Sequence, residues 1–89
     1  MIRIVFFFTV RDVAGRNEIN DIFASNLGEL LEKLIQQYPK LEKVIFADEA
    51  KRKLRPEIMI MLNGIAVRKL DAPVNDGDLI LIMTMISGG

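Results

Sequence analysis

Two hydrophobic periods alternate along these 89 residues. The first stretch, Ile2-Arg3-Ile4-Val5-Phe6-Phe7-Phe8-Thr9-Val10, is dense in β-branched and aromatic side chains and short, which predicts a strand. Alternation sends Ile2, Ile4, Phe6 and Phe8 to one side and Arg3, Val5, Phe7 and Thr9 to the other, so both of its faces are largely apolar. Ala14-Gly15-Arg16-Asn17 reads as a turn, and Glu18-Ile19-Asn20-Asp21-Ile22-Phe23 as a weaker strand pairing back antiparallel.

At Asn26 the period lengthens. Asn26 and Glu29 have capping-box spacing, and Leu27, Leu30, Leu31, Leu34, Ile35 and Tyr38 form one apolar stripe, with Glu29, Glu32, Lys33, Gln36 and Gln37 opposite. A helix is predicted to start there, lie with its stripe on the sheet, and end before Pro39. Residues 39–46 are expected to begin a second, shorter helix with its proline near the first position. Residues 48–56, with four basic side chains between 51 and 55, read as a solvated loop, or alternatively as a docking patch for an acidic partner. Ile58-Met59-Ile60-Met61-Leu62 predicts another strand, and Asn63-Gly64 a tight hairpin turn into Ile65-Ala66-Val67. After a connector containing Pro73, Asp76-Gly77 turns the chain into a last strand from Asp78 onwards.

This order is α+β. The first and last strands are the most hydrophobic and so belong at the centre, with the weaker strands at the edges. A parallel central pair crossed by one helix is a β-grasp arrangement: a mixed sheet of about five strands with one main helix over one face. The expected organisation is a domain over residues 1–86 and a tail over 87–89. One helix covers one face only. Val5, Phe7, Met59, Met61 and one apolar set of the last strand therefore fall on the opposite face, and apolar area of that kind marks a partner surface unless the 41–46 segment or self-association covers it.

Composition narrows the chemistry. The chain is 51% hydrophobic, ample for one small core, and its twelve basic and twelve acidic residues cancel. No single-sign field favours nucleic acid or a membrane surface as partner. There is no cysteine and no histidine, which removes disulfides, thiolate catalysis, soft metal sites and the usual general base. Chemistry must then come from carboxylates or from a partner. The N-terminal apolar run is too short to span a membrane and lacks a cleavage pattern, so a cytoplasmic protein is expected.

The remaining signal is Ser87-Gly88-Gly89, directly after the apolar run 79–86. Without Cβ atoms, Gly-Gly is the slimmest backbone available and can thread a narrow active-site channel, at an entropic cost on ordering. In this reading the α-carboxylate of Gly89 is the reactive group; in the alternative reading the glycines are an inert end.

Ile4-Val5-Phe6-Phe7-Phe8, Val10-Arg11-Asp12-Val13-Ala14-Gly15, Leu27-Gly28-Glu29-Leu30-Leu31, Tyr38-Pro39, Leu62-Asn63-Gly64, Asp76-Gly77-Asp78 and Ser87-Gly88-Gly89, in that order, resemble the ubiquitin-like sulfur carriers of the MoaD/ThiS family. Within that family the resemblance is closest to the small subunits of molybdopterin synthase. It departs from them at Met83-Thr84-Met85, where those subunits have an aromatic residue and two prolines. The resemblance implies that an adenylating enzyme converts the Gly89 carboxylate to an acyl-adenylate, that sulfur replaces AMP to give a thiocarboxylate, and that a large catalytic subunit takes up the tail and passes the sulfur to a pterin precursor. ATP and magnesium would belong to the activating partner, no cofactor would be bound by this chain, and the chain would act as a tethered cosubstrate. The resemblance further implies docking through Phe7 and Met83, with Arg11 as an electrostatic contact, or otherwise as a solvated turn residue. Thiamin synthesis, tRNA thiolation and attachment to protein lysines are alternative uses of the same tail. A carboxylate alone is a poor electrophile, and the sequence has no phosphate-cradling glycine loop with which to activate it.

Overall fold

The computed structural model describes residues 1–85. Their elements are, in chain order, β1 (Arg3–Phe6), α1 (Phe8–Ala14), β2 (Glu18–Ile19), α2 (Leu27–Gln37), α3 (Leu41–Ile45), β3 (Phe46–Asp48), β4 (Lys53–Leu54), β5 (Ile58–Leu62), β6 (Ile65–Ala66) and β7 (Leu79–Thr84). The main sheet runs β2-β1-β7-β5-β6 and β3-β4 form a separate ribbon. β1 and β7 pair in parallel at the centre, as their hydrophobicity predicts, and the other pairings are antiparallel.

The main helix forms where its cap and stripe place it. Asn26 is extended, its side chain accepts the Glu29 N–H at 2.8 Å, and the Glu29 carboxylate accepts the Ser25 N–H at 2.7 Å. The return bond thus reaches one residue further out than a standard capping box. Leu27, Leu30, Leu31 and Leu34 are each 1% exposed or less, and they meet Ile4, Phe6, Ile58, Ile60, Ile80 and Ile82 from the sheet. The Phe6 ring stands edge-on to Tyr38, 6.2 Å between centroids. Gly28 is required by a close approach: its N–H donates to Leu70 O at 2.7 Å, and a Cβ there would sit 3.2 Å from that oxygen. Asn63 and Gly64 both take positive φ, 50° and 86°, which the Asn-Gly hairpin turn demands.

Three expectations are corrected. The first strand stops at Phe6 instead of running to Val10, because the chain turns into α1, buries Val10 and closes on Gly15 in the left-handed region with its N–H on Arg11 O at 2.8 Å. Phe8 therefore does not lie under the helix beside Phe6; it is 46% exposed. Arg11 accordingly sits on a helix and not in a turn. The strand expected over 18–23 is confined to Glu18–Ile19. The charged 48–56 segment is not a solvated loop throughout: Arg52 forks onto Glu32 with Nε at 2.7 Å, reaches Glu42 at 2.7 Å, and lies 4.8 Å from the centre of the Phe46 ring. It ties the β3-β4 ribbon to α2 and α3. Arg55 also bonds back to α3, donating to Lys43 O at 2.5 Å.

Candidate functional site: the open face of the sheet

The face of the main sheet turned away from α2 is assembled by register. Val5 lies beside Leu81, Leu81 beside Met61 and Met61 beside Ala66, so one row crosses four strands. Met83 pairs with Met59 in the next row. Phe7 is one step past the last registered pair of β1 and β7, with its N–H on Ile82 O at 3.0 Å, so the same row reaches it. Val5, Phe7, Met59, Met61, Leu81 and Met83 are all half-buried. The 41–46 segment does not cover them, since Leu41, Ile45 and Phe46 are buried in the core on the helical side. Glu18 lies opposite Val5, and Arg3 forks onto its carboxylate at 2.9 and 3.1 Å. That pair rims the face; hydrogen bonding to Arg3 holds the Glu18 carboxyl below the usual carboxylate range.

β7 carries this face toward the tail. Its antiparallel register with β5 holds through Thr84, and the Met85 N–H donates to Glu57 O at 2.6 Å. At the other end of the strand Asn63 locks the entry: its amide donates to Asp78 at 2.9 Å and accepts the Leu79 N–H at 2.9 Å, while Asp78 also accepts the Asn75 N–H at 2.8 Å. The Asn63 hydrogen bond, followed by that of Asn75, holds the Asp78 carboxyl below its ordinary range. β7 is thus fixed at both ends of its described length.

Of the site residues named from the sequence, the fold brings Val5, Phe7, Met59, Met61 and Met83 onto one surface. Arg11 is not on the sheet; it projects from α1 with 47% of its side chain exposed, its Nε 3.7 Å from Asp12. Ser87, Gly88 and Gly89 lie outside the described residues. Leu81 joins the face only once its register with Val5 and Met61 is known. The α1 turn had a legible signal in Val10, Val13 and Ala14 at helical spacing before Gly15, overridden by the aromatic run preceding it. Among the described residues no three His, Cys, Asp or Glu side chains gather as a metal-binding group, and no helix is long and apolar enough to cross a membrane.

A parallel central strand pair, one long helix beneath it and an apolar far face feeding into the last strand define the ubiquitin-like β-grasp class. Residues 4–89 match the model of the ThiS family, and the chain belongs to that family of ubiquitin-like sulfur carriers and modifiers. Among solved structures it is similar to small archaeal modifier protein 1 from Methanosarcina acetivorans, at 28% identity, with 99% of this chain and 95% of that one covered and a TM-score of 0.86. A chain of the BexX/CysO complex of Amycolatopsis orientalis matches at 22% identity over the whole of both chains, TM-score 0.83. A putative molybdopterin converting factor subunit 1 from Pyrococcus furiosus matches at 22% identity over 96% and 97%, TM-score 0.72. Comparison with curated proteins finds no match by sequence.

Proposed function

We propose that this protein is a sulfur carrier that works through its C-terminal carboxylate and serves molybdopterin biosynthesis as the small subunit of the synthase. An adenylating enzyme transfers the AMP group of ATP to the Gly89 carboxylate and releases pyrophosphate; a donor of sulfide-level sulfur then displaces AMP to leave a thiocarboxylate, whose sulfur passes to a pterin precursor in the large subunit while water restores the Gly89 carboxylate. The supporting observation is the continuity of the open apolar face with β7, whose next residues are the tail: a protein seated on that face is brought to the Gly-Gly end. ATP and magnesium belong to the activating partner, and this chain is the cosubstrate.

Identity favours a second reading, attachment to protein lysines. The modifier from Methanosarcina acetivorans is 28% identical, against 22% for the molybdopterin converting factor subunit. Intact mass from the native host separates the two. Sulfur in place of oxygen adds about 16 Da, whereas a modifier accumulates as high-mass conjugates with a Gly-Gly remnant on lysine.

The tail itself is tested by deleting Gly89 and by Gly88→Val. Extended, residues 86–89 reach at most roughly 13–14 Å, so both length and slimness bear on delivery. Both variants are expected to melt like the parent and to lose ATP-dependent thiocarboxylate formation by about a hundredfold or more, since a misplacement of about 1 Å has that effect at a reacting centre. Parent-like turnover in both would replace the carrier reading with that of an inert interaction module.

A further inference from the structure

Among the described residues, three that are not glycine adopt positive φ: Phe8 at 56°, Arg52 at 54° and Asn63 at 50°. Such backbone is strained for side chains with a Cβ and persists where something else requires it. For Arg52 the requirement is visible in its contacts with Glu32, Glu42 and Phe46, and Asn63 is a favoured residue in this region whose amide bonds Asp78 and Leu79. Phe8 has no such return. Its side chain offers no hydrogen bond, it opens α1 after an extended Phe7 with no side-chain cap, and the residue is 46% exposed. The fold would be served better by Asn or Gly, which tolerate left-handed backbone and would not place an aromatic ring in water.

What the strained backbone does achieve is placement. The Phe8 ring stands 6.2 Å from the Phe7 ring, tilted by 47°, and Phe7 is tied to β7 through Ile82 O at 3.0 Å. The two rings form a knob at the end of β1, beside the part of β7 that runs toward the tail. The short reach of residues 86–89, at most roughly 13–14 Å, brings any protein that acts on Gly89 within that distance of the end of β7, the end beside which the knob stands.

We infer that Phe8 extends the docking face beyond the sheet, and that the enzyme that adenylates the tail receives the Phe7-Phe8 knob in an apolar pocket. The inference rests on the tail-activation step, which the sulfur-carrier and modifier readings share, and it commits to the activating enzyme for that reason. A buried aromatic anchor of this kind carries a disproportionate share of binding. An anchor that is seated before the carboxyl reacts, and is unchanged while it reacts, contributes equally to ground and transition states and is read in KM and not in kcat.

The test measures melting temperature and AMP formation by the adenylating enzyme of the same organism, with the purified chain as varied substrate. Phe8→Asn is expected to melt about 4 °C or more above the parent, since relief of one left-handed strain is a large shift in a domain this small. Its KM should rise about tenfold or more with kcat unchanged, while Phe8→Tyr, which retains the ring, should stay within about threefold of the parent KM. A Phe8→Asn chain that melts below the parent shows the ring to be holding the fold and overturns the inference. So does a parent-like KM for Phe8→Asn when the parent is adenylated. Failure to adenylate the parent overturns the tail-activation reading itself, and the docking inference with it.

Discussion

The two faces of the central sheet are made by alternate residues of the same strands, yet they are built differently. Under α2 lie Ile4, Phe6, Ile58, Ile60, Ile80 and Ile82, all 2% exposed or less. On the far side lie Val5, Phe7, Met59, Met61, Leu81 and Met83, all half-buried. Isoleucine is stiff at χ1 and accepts few packings, which suits a face that must meet one helix in one way. Methionine is unbranched and polarizable and reshapes itself to what it meets. One face specifies the fold, and the other has the adaptable side chains that the proposed docking role would use.

The comparison breaks most sharply at its neighbouring aromatics. Phe6→Ala should remove about 3–5 kcal/mol of stability by leaving a cavity beneath α2, while Phe7→Ala should change it by less than about 1 kcal/mol. Urea unfolding of the two variants checks this, and equal losses would show that the faces are assigned wrongly. Next in size, Met61→Asp places a charge at the middle of the open face, where docking would strip it of water. We expect binding to the adenylating enzyme to weaken by about a hundredfold while the circular dichroism spectrum stays native; parent-like affinity would mean that partners dock elsewhere.

The smallest effect concerns the turn that holds the start of β7. Asn63→Ala removes the two side-chain hydrogen bonds that hold the start of β7 and leaves Ala in left-handed backbone, for a loss of about 1–2 kcal/mol. The same variant sharpens the acid response. Asp78 is held below its ordinary pKa by Asn63 first, so its contribution is present at neutral pH and is lost as pH falls through the carboxylate range. Asn63→Ala should flatten that part of the stability–pH curve; an unchanged slope would remove Asn63 as its cause.

The α2 helix was legible because its signals are local. Asn26, the Leu27-Leu30-Leu31-Leu34 stripe and Pro39 fall within a few turns of chain, and each acts without help from elsewhere. The Asn63-Gly64 turn and the central place of the first and last strands were legible for related reasons, one being a backbone requirement and the other a consequence of hydrophobic density. The place of Phe8 is not legible locally, because strand and helix periods both fit the chain around it; alternation after Phe6 is as good a pattern as Val10, Val13 and Ala14 before Gly15. The role of Arg52 is not legible locally, because its partners Glu32 and Glu42 are distant in sequence, and charge density alone does not distinguish a solvated cation from one that staples two helices.

By itself, then, the sequence determined the α+β class, the main helix with its cap and stop, the hairpin turn, and the alternation that makes both faces of the sheet apolar. These are properties of short windows, governed by backbone preference and by the periods of helix and strand. Only the tertiary structure decided where β1 ends, that α1 follows it, that Leu81 completes a row with Val5 and Met61, and that Phe8 stands outside in strained backbone beside Phe7. Those outcomes depend on register and on packing between segments far apart in the chain, where the free energy of burying Val10 and Ile45 together in one core outweighs the local preference of an aromatic run for continued strand.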